Sequence, residues 1–299
     1  SFDASYSWDK AETGFGVDLS KVSILSNNLG NHQRTKLNIF FEHRLRLINN
    51  LLDISPGVAI NYFSDFKWHF FPGVDVGLQL NKDLRLYSTL GYTYRVPTYT
   101  DLYYQDPTTK GNKNLKPEEA FTKEVGVRFL KKRFSGLFAI YNRESKNLID
   151  YIKENESELW QANNIREINS KGFEFELFFP FNNISSLSSF KLGYSYLQNN
   201  LKNIEYSFSK YLINNSTKHQ LAGTYNTKLF KTINSSTVFK FIDRYNNERY
   251  SIIDLFFQYG FKKIKLDLFI NNLLDVEYSE TNLVPMPKRN FLFGINYSL

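Results

Sequence analysis

The 299-residue chain has a formal net charge of +7, a mean hydropathy of −0.41 and no cysteine. It contains no run of about 18 or more apolar residues, which excludes conventional transmembrane helices, and the lack of cysteine excludes disulfides and thiolate metal sites. Basic residues are spread along the chain, so the composition gives no support to nucleic-acid binding. Aromatic residues reach 17%, and this excess in a polar chain favours amphipathic strands that face an apolar phase.

The first predicted strand lies near residues 2–9, within the opening sequence SFDASYSWDKAE. This segment has neither the basic head nor the apolar stretch of a signal peptide, and its pattern is that of the middle of a strand. We therefore expect a chain that is mature, processed or part of a longer protein.

Proline marks the next predicted strands. The strands at 54–62 and 70–80 each carry a Pro-Gly pair, and because proline removes a ladder hydrogen bond, both pairs are predicted to be β-bulges. Pro97 ends the strand that follows, at the predicted edge of an apolar phase. Tyr92 and Tyr94 lie just before that point and fit an interfacial aromatic belt.

Period-two alternation continues through the later strands, with clear examples at 121–129, 173–179, 253–261 and 264–270. One side of each strand is apolar and the other carries charged or polar residues. In a soluble sandwich the apolar side packs against a second sheet, whereas in an outer-membrane barrel it faces lipid and the charged side faces the lumen.

Strand length and loop asymmetry favour the barrel. The predicted strands are about 10–14 residues long, as tilted membrane strands must be. Short connections alternate with long ones, and the long ones are 96–118, 146–163, 199–216 and 274–287. This asymmetry is typical of an outer-membrane barrel whose long loops lie outside the cell. The predicted fold is all-β, an antiparallel transmembrane β-barrel of about fourteen strands, and no helix is predicted.

Three motifs resemble those of TonB-dependent outer-membrane receptors. YRVPTYTDLYY at 94–104 resembles the family's aromatic–Arg–x–Pro–Thr run, followed by an acidic–Leu–Tyr triplet. GNKNLKPEEA at 111–120 resembles the run that comes next, with Lys113 where proline is usual. The stretch 270–299 resembles the closing hairpin, with Lys288 in place of a glycine. The motifs occur in family order and, with the alternation between them, the resemblance covers nearly the whole chain.

The resemblance implies a barrel larger than this chain. Plugged outer-membrane transporters have about 22 strands, so residues 1–299 are expected to be the C-terminal portion of the barrel, with no second domain and without the plug. The last strand, 289–299, resembles the signal read by the barrel-assembly machinery, although Leu299 stands where an aromatic residue is usual.

Candidate ligand contacts lie in the predicted loops and upper lumen. Arg95, Asp101 and Tyr103 either contact substrate or shape the strand end, since proline and asparagine-rich turns do the latter by themselves. Loop aromatics are a plausible ligand surface, because they supply area and a polar edge, or they are solvated decoration. These aromatics include Tyr99, Tyr104 and Trp160.

The histidines add one further candidate. His69 shares its side of the strand with Asp75, so we expect it in the lumen near the outer mouth, as a ligand contact. His32 is predicted to lie in a polar loop. Residues 98–118 contain no histidine, whereas haem receptors of the resembling family carry one in this loop.

By resemblance, the chain belongs to a receptor for active uptake of a large, scarce nutrient such as a ferric siderophore or cobalamin. The implied partners are outer-membrane lipid and lipopolysaccharide, the small-molecule ligand, a surface lipoprotein, and the TonB–ExbB–ExbD complex through a segment outside this sequence. No cofactor, resident metal or enzymatic site is predicted. Two alternatives stay open: a complete fourteen-stranded passive porin or hydrophobic-substrate channel, and a surface docking or adhesion barrel.

Overall fold

A computed structural model describes residues 1–181, 187–202, 208–209, 216–230, 232–245, 248–280 and 284–298. These residues form seventeen β-strands of one sheet and one short helix. The elements are β1 (Phe2–Trp8), β2 (Ala11–Ser26), β3 (Gly30–Leu47), β4 (Leu52–Phe63), β5 (Lys67–Asn81), β6 (Leu84–Arg95), α1 (Tyr99–Tyr103), β7 (Thr109–Lys110), β8 (Glu118–Lys131), β9 (Phe134–Lys153), β10 (Trp160–Pro180), β11 (Leu187–Lys202), β12 (Phe208–Ser209), β13 (Thr217–Leu229), β14 (Ile233–Arg244), β15 (Arg249–Phe261), β16 (Ile264–Asn271) and β17 (Asn290–Tyr297).

The all-β antiparallel fold is confirmed, but the strand number is seventeen rather than about fourteen. Two of the strands, β7 and β12, have only two residues each and lie inside predicted long loops, where alternation is too short to show. The five-residue helix α1 was also not predicted. In the described ranges, no helix is long and apolar enough to cross a membrane.

The chain divides into two compact units. The first unit comprises Ser1–Val127, Ala139–Lys171 and Gln198–Leu212, and the second comprises Arg128–Phe138, Gly172–Leu197 and Ile213–Leu299.

In the second unit, the register of β15 to β17 separates an apolar face from a polar face. Phe257 lies opposite Leu268, and Leu268 lies opposite Phe293, whereas Gln258 lies opposite Asp267. The predicted sidedness of these strands is therefore confirmed. Phe293 is 80% exposed, so the apolar face is not covered as it would be in a soluble sandwich.

The first unit shows the same division. Val17, Ile39 and Ile60 lie side by side on the apolar face of β2, β3 and β4. On the polar face, Arg46 lies opposite Asp53. Because strand residues alternate between faces, one register fixes the side of every residue in these hairpins.

The predicted bulges at the Pro-Gly pairs are wrong. Pro56 lies opposite Val74 and Gly57 lies opposite Gly73, without a shift in register between β4 and β5. Pro72 instead marks the end of a ladder. The pairing of β5 with β6 reaches Gly73 and Gly91 but does not extend to the adjacent Pro72, which has no N–H to donate.

Beyond that point, the two tyrosines of β6 take different sides. Tyr92 is 51% exposed and stacks on Phe121 at a centroid distance of 4.5 Å. Tyr94 stacks on His69 and Phe71, which lie on the polar face of β5. The belt assignment of Tyr94 is therefore wrong, because its ring packs against residues of the polar face.

Candidate ligand-binding rim

Four segments of the first unit meet at one end of the sheet, and we call this region the rim. It comprises the loop 96–118, the turns 27–29 and 64–66, and the segment 149–163. Gln105 N donates to Asn28 Oδ1 at 3.0 Å, and Trp160 N donates to Thr108 O at 2.8 Å. These bonds join the long loop to its neighbours on both sides.

The loop begins with a capped helix. Pro97 is fully buried and stops β6, and Thr98 then serves as the N-cap of α1. Asp101 N donates to Thr98 Oγ1 at 3.1 Å, while Asp101 Oδ2 accepts from Thr98 N at 2.9 Å, which completes a capping box. Such caps typically contribute about 1 kcal/mol. The sequence TYTD therefore starts a helix, and the buried Asp101 is part of its framework.

Arg95 joins the two ends of the loop. Its guanidinium donates to both oxygens of Glu118, at 2.6 Å and 2.5 Å, and lies 3.4 Å from Asp101 Oδ2. Glu118 also accepts from Ile149 N at 2.8 Å. Paired, bidentate donors of this kind fix geometry as well as charge, so Arg95 ties β6 to β8 and β9.

The loop encloses a small hydrophobic core. Its buried members are Leu102, Leu115, Ile149, Tyr151 and Ala162, with Phe66, Tyr103 and Trp160 partly buried against them. Trp160 also lies under Lys153, whose Nζ is 4.9 Å from the ring centroid. A Cβ at Gly111 would lie 2.8 Å from the backbone of Leu102, so only glycine fits there. The loop is thus a folded substructure.

An aromatic cluster forms between α1 and His32. His32 stacks on Tyr103 at 3.7 Å, with an angle of 9° between the rings, and on Tyr99 at 5.8 Å. His32 lies in β3, so its predicted place in a polar loop is wrong. The cluster brings two predicted site residues, Tyr99 and Tyr103, together with His32. The sequence did not nominate His32, because its contact with α1 joins two segments that are far apart in the chain.

Arg34 is a second residue that sequence reasoning missed. It is 5% exposed, and its Nε donates to both oxygens of Asp65, at 3.0 and 2.8 Å. Its Nη2 donates to Pro97 O at 3.0 Å, and its Cζ lies 5.1 Å from the centroid of Tyr99. One buried cation therefore fixes the turn 64–66 against the start of the loop.

Tyr104 belongs to a separate turn. Its hydroxyl donates to Asp106 Oδ2 at 2.9 Å, while Asp106 Oδ1 accepts from the backbone N–H of Thr108 at 2.7 Å and of Thr109 at 2.6 Å. The hydrogen bonds from Thr108, followed by that from Tyr104, lower the pKa of Asp106 to about 2. The same bond to Asp106 raises the pKa of Tyr104.

His69 lies apart from the loop residues, beside Tyr94. The two rings stack at 3.9 Å, and Phe63 and Phe71 flank them at 6.4 and 6.3 Å. His69 lies on the same face of β5 as Asp75, as predicted. In the described part of the chain, no group of three or more His, Cys, Asp or Glu side chains is arranged to hold a metal ion.

Comparison with known proteins identifies the family. Residues 1–273 match the family model described as TonB dependent receptor-like, beta-barrel. The chain belongs to this family. Members of the TonB-dependent receptor family are receptors and transporters rather than enzymes.

Two kinds of relatives accompany the family match. The vitamin B12 transporter BtuB of Vibrio vulnificus (strain YJ016) is 25% identical over 130 residues, which are 44% of this chain and 21% of that protein. The siderophore receptor PirA of Pseudomonas aeruginosa has a TM-score of 0.76 at 15% identity, over 99% of this chain and 53% of PirA.

A variant of the ferric enterobactin receptor PfeA from Pseudomonas aeruginosa, solved with enterobactin, has a TM-score of 0.75 at 13% identity, over 99% of this chain and 53% of PfeA. The chain thus spans about half the length of these receptors. At such low identity the structural likeness shows the shared fold.

Proposed function

We propose that the chain supplies barrel wall and outer loops to an outer-membrane receptor for TonB-dependent active uptake of a large, scarce nutrient such as a ferric siderophore or cobalamin. The observation that carries the proposal is the folded loop 96–118, with its own core and with Arg95 joining its two ends. A preorganised surface raises binding affinity, so a folded outer loop favours a capture site over a passive pore.

The proposal assigns different roles to the predicted site residues. Tyr99, Tyr103 and Trp160 supply aromatic area at the rim, and His69 supplies a polar contact on the lumen side. The remaining three, Arg95, Asp101 and Tyr104, hold the backbone that carries this surface.

The family membership supports a set of proposed partners. The apolar face would contact outer-membrane lipid and lipopolysaccharide, and the small-molecule ligand would enter through the rim. The TonB–ExbB–ExbD complex would supply energy through a part of the receptor that this sequence does not contain. A surface lipoprotein is a further proposed partner at the outer loops.

Uptake by cells tests the proposal directly. The complete receptor is expressed in a strain that lacks its own receptors for the two probes, and uptake of radiolabelled cyanocobalamin and ferric enterobactin is measured with and without TonB. We expect saturable uptake of at least one probe that requires TonB. Uptake that is equal without TonB would instead support the passive-pore alternative.

A pair of tyrosine variants tests the role of the rim. Tyr103→Ala removes the ring that stacks on His32, and it should raise the concentration at which uptake is half-saturated. Tyr225→Ala is the matched control, because this tyrosine is 41% exposed in the second unit, outside the rim. Equal effects of the two variants would contradict a rim-binding role.

A further inference from the structure

A row of polar side chains crosses four neighbouring strands of the first unit. Asp18 lies opposite Asn38, Asn38 opposite Asn61, and Asn61 opposite His69. Strands are spaced about 4.8 Å apart, so the row is roughly 14 Å long. All four residues are half-buried and lie on the polar face.

The row has hydrogen-bonding capacity that the fold does not use. Among the described residues, no hydrogen bond or ion pair involves the side chains of Asp18, Asn38 or Asn61. The two amides each offer donors and an acceptor, and Asp18 offers acceptors alone. Half-buried polar groups that reach solvent can exchange their water for the polar groups of a ligand.

His69 is oriented for the same purpose. Its Nε2 lies 2.7 Å from Phe66 O and 2.6 Å from the Tyr94 hydroxyl. A carbonyl oxygen only accepts, so a hydrogen bond to Phe66 O requires the proton on Nε2. The contacts with Phe66 and Tyr94 both use Nε2, and Nδ1 has no hydrogen-bond partner among the described residues. Nδ1 is therefore open to a polar group of a ligand at this end of the row.

A cleft adjoins the row on the side away from the rim. Phe40 and Phe71 form walls on either side of Ala59, which lies opposite both. The cleft has a volume of about 320 Å³, within the range of small-ligand sites. Gly57 and Gly73 also line it, so its floor is backbone without side chains. Aromatic walls beside amide groups suit rings that carry polar substituents.

Carboxylates outnumber cations around the row and the cleft. Asp18 is matched by Lys36, which lies on the same face one row nearer the rim, and Arg34 is paired with Asp65. Below the row, the cleft is lined by carboxylates of Glu42 and Asp75. A polyanion such as an iron–catecholate complex would find no excess of cations here, whereas an uncharged molecule would lose no favourable charge interaction.

From these observations, and resting on the proposed uptake function, we propose that the row and cleft bind an uncharged small molecule rich in hydroxyl or amide groups. Asn38 and Asn61 donate to and accept from its polar groups, Nδ1 of His69 supplies a further hydrogen-bonding atom, and Phe40 and Phe71 contact its ring faces. Among the nutrients considered under Proposed function, this favours uncharged molecules over polyanionic complexes.

Binding to the purified complete receptor in detergent tests this site, by titration calorimetry with three probes. Cyanocobalamin represents amide-rich ligands, maltoheptaose represents hydroxyl-rich ligands, and ferric enterobactin represents polyanions. We expect one of the two uncharged probes to bind more tightly than ferric enterobactin, and which one binds identifies the source of the polar groups. Failure of both uncharged probes to bind overturns the inference.

Variants then locate the site. Asn38→Ala and Asn61→Ala should each weaken binding of the uncharged probe by about 3- to 10-fold, the effect of one or two lost hydrogen bonds. Ala59→Phe should abolish it by filling the space between the two rings. Asn31→Ala is the matched control, because Asn31 lies in the same strand as Asn38 on the opposite face and should leave binding unchanged. Unchanged binding in the Asn38→Ala, Asn61→Ala double variant overturns the inference.

The uptake assay, with radiolabelled maltoheptaose added as a third probe, separates this inference from the proposed function. If uptake requires TonB but only ferric enterobactin binds, the proposed function stands and the assigned substrate class is wrong. If an uncharged probe binds at the row but its entry is independent of TonB, the site stands and active uptake is wrong.

Discussion

Replacing Arg95 with lysine tests whether the ion-pair network keeps the loop 96–118 folded. Arg95 makes two hydrogen bonds to Glu118 and an ion pair with Asp101. Hydrogen bonds to charged groups contribute about 1.5–3 kcal/mol, but the Arg95 side chain is 46% exposed and solvent screens part of this. Lysine keeps the charge and one bond. We therefore expect a loss of about 1–2 kcal/mol of local stability.

Hydrogen exchange measures this loss in the complete receptor. A change of about 1–2 kcal/mol raises the open population of the loop roughly 5- to 30-fold, and backbone exchange across the loop should accelerate by the same factor. The N–H groups of Leu102, Gly111 and Asn112 report on it, since each donates within the loop. Arg143→Lys is the matched control, because within the described residues the one side-chain hydrogen bond of Arg143 is a long contact of 3.5 Å to Thr122. Unchanged exchange across the loop in Arg95→Lys would refute the bracing role.

Three further outcomes are expected. Gly111→Ala should destabilise the loop by about 1–3 kcal/mol, because the added Cβ would lie 2.8 Å from the backbone at the end of α1. Hydrogen exchange measures this loss, and Gly260→Ala, whose Cβ would have no atom within 4 Å, should change exchange very little. The lowered pKa of Asp106 means that its turn is stabilised above the ordinary aspartate pKa and loses this stabilisation as pH falls through about 2, so NMR shifts of the turn amides should titrate near pH 2; a midpoint near pH 4 would contradict it. Leu268→Arg should cost on the order of 2–4 kcal/mol in bilayer refolding if this position is mid-membrane, and a cysteine at 268 should react with a lipid-phase label while one at Asp267 should not; the reverse labelling would show that the faces are exchanged.

The sequence predicted what depends on local periodicity. Alternation placed Phe257 and Leu268 on one face and Asp267 on the other, and the register agrees. It failed for Tyr94, whose ring stacks on His69 and Phe71 of the polar face. Alternation within β6 does not show a contact of this kind with another strand.

The rim was less predictable than the fold for the same reason. Asp101 could be nominated from its motif, but whether it holds a helix or meets a ligand depended on Thr98 and α1, and a five-residue helix gives too little periodicity to detect. Arg34 and His32 carried no signal, because their partners lie on other hairpins. Arg34 lies in β3 and bonds Pro97, which follows β6, and single-sequence patterns do not encode pairs so far apart in the chain.

The early end of the ladder between β5 and β6 has a mechanical consequence. Backbone hydrogen bonds hold paired strands at a spacing of about 4.8 Å, so a fully laddered hairpin has a fixed width. Past Gly73 and Gly91 no backbone pairing between β5 and β6 is found, and the side chains of His69 and Tyr94 join the two strands instead. The spacing of the two strands there depends on side-chain contacts, so it can change without breaking a backbone hydrogen bond between them.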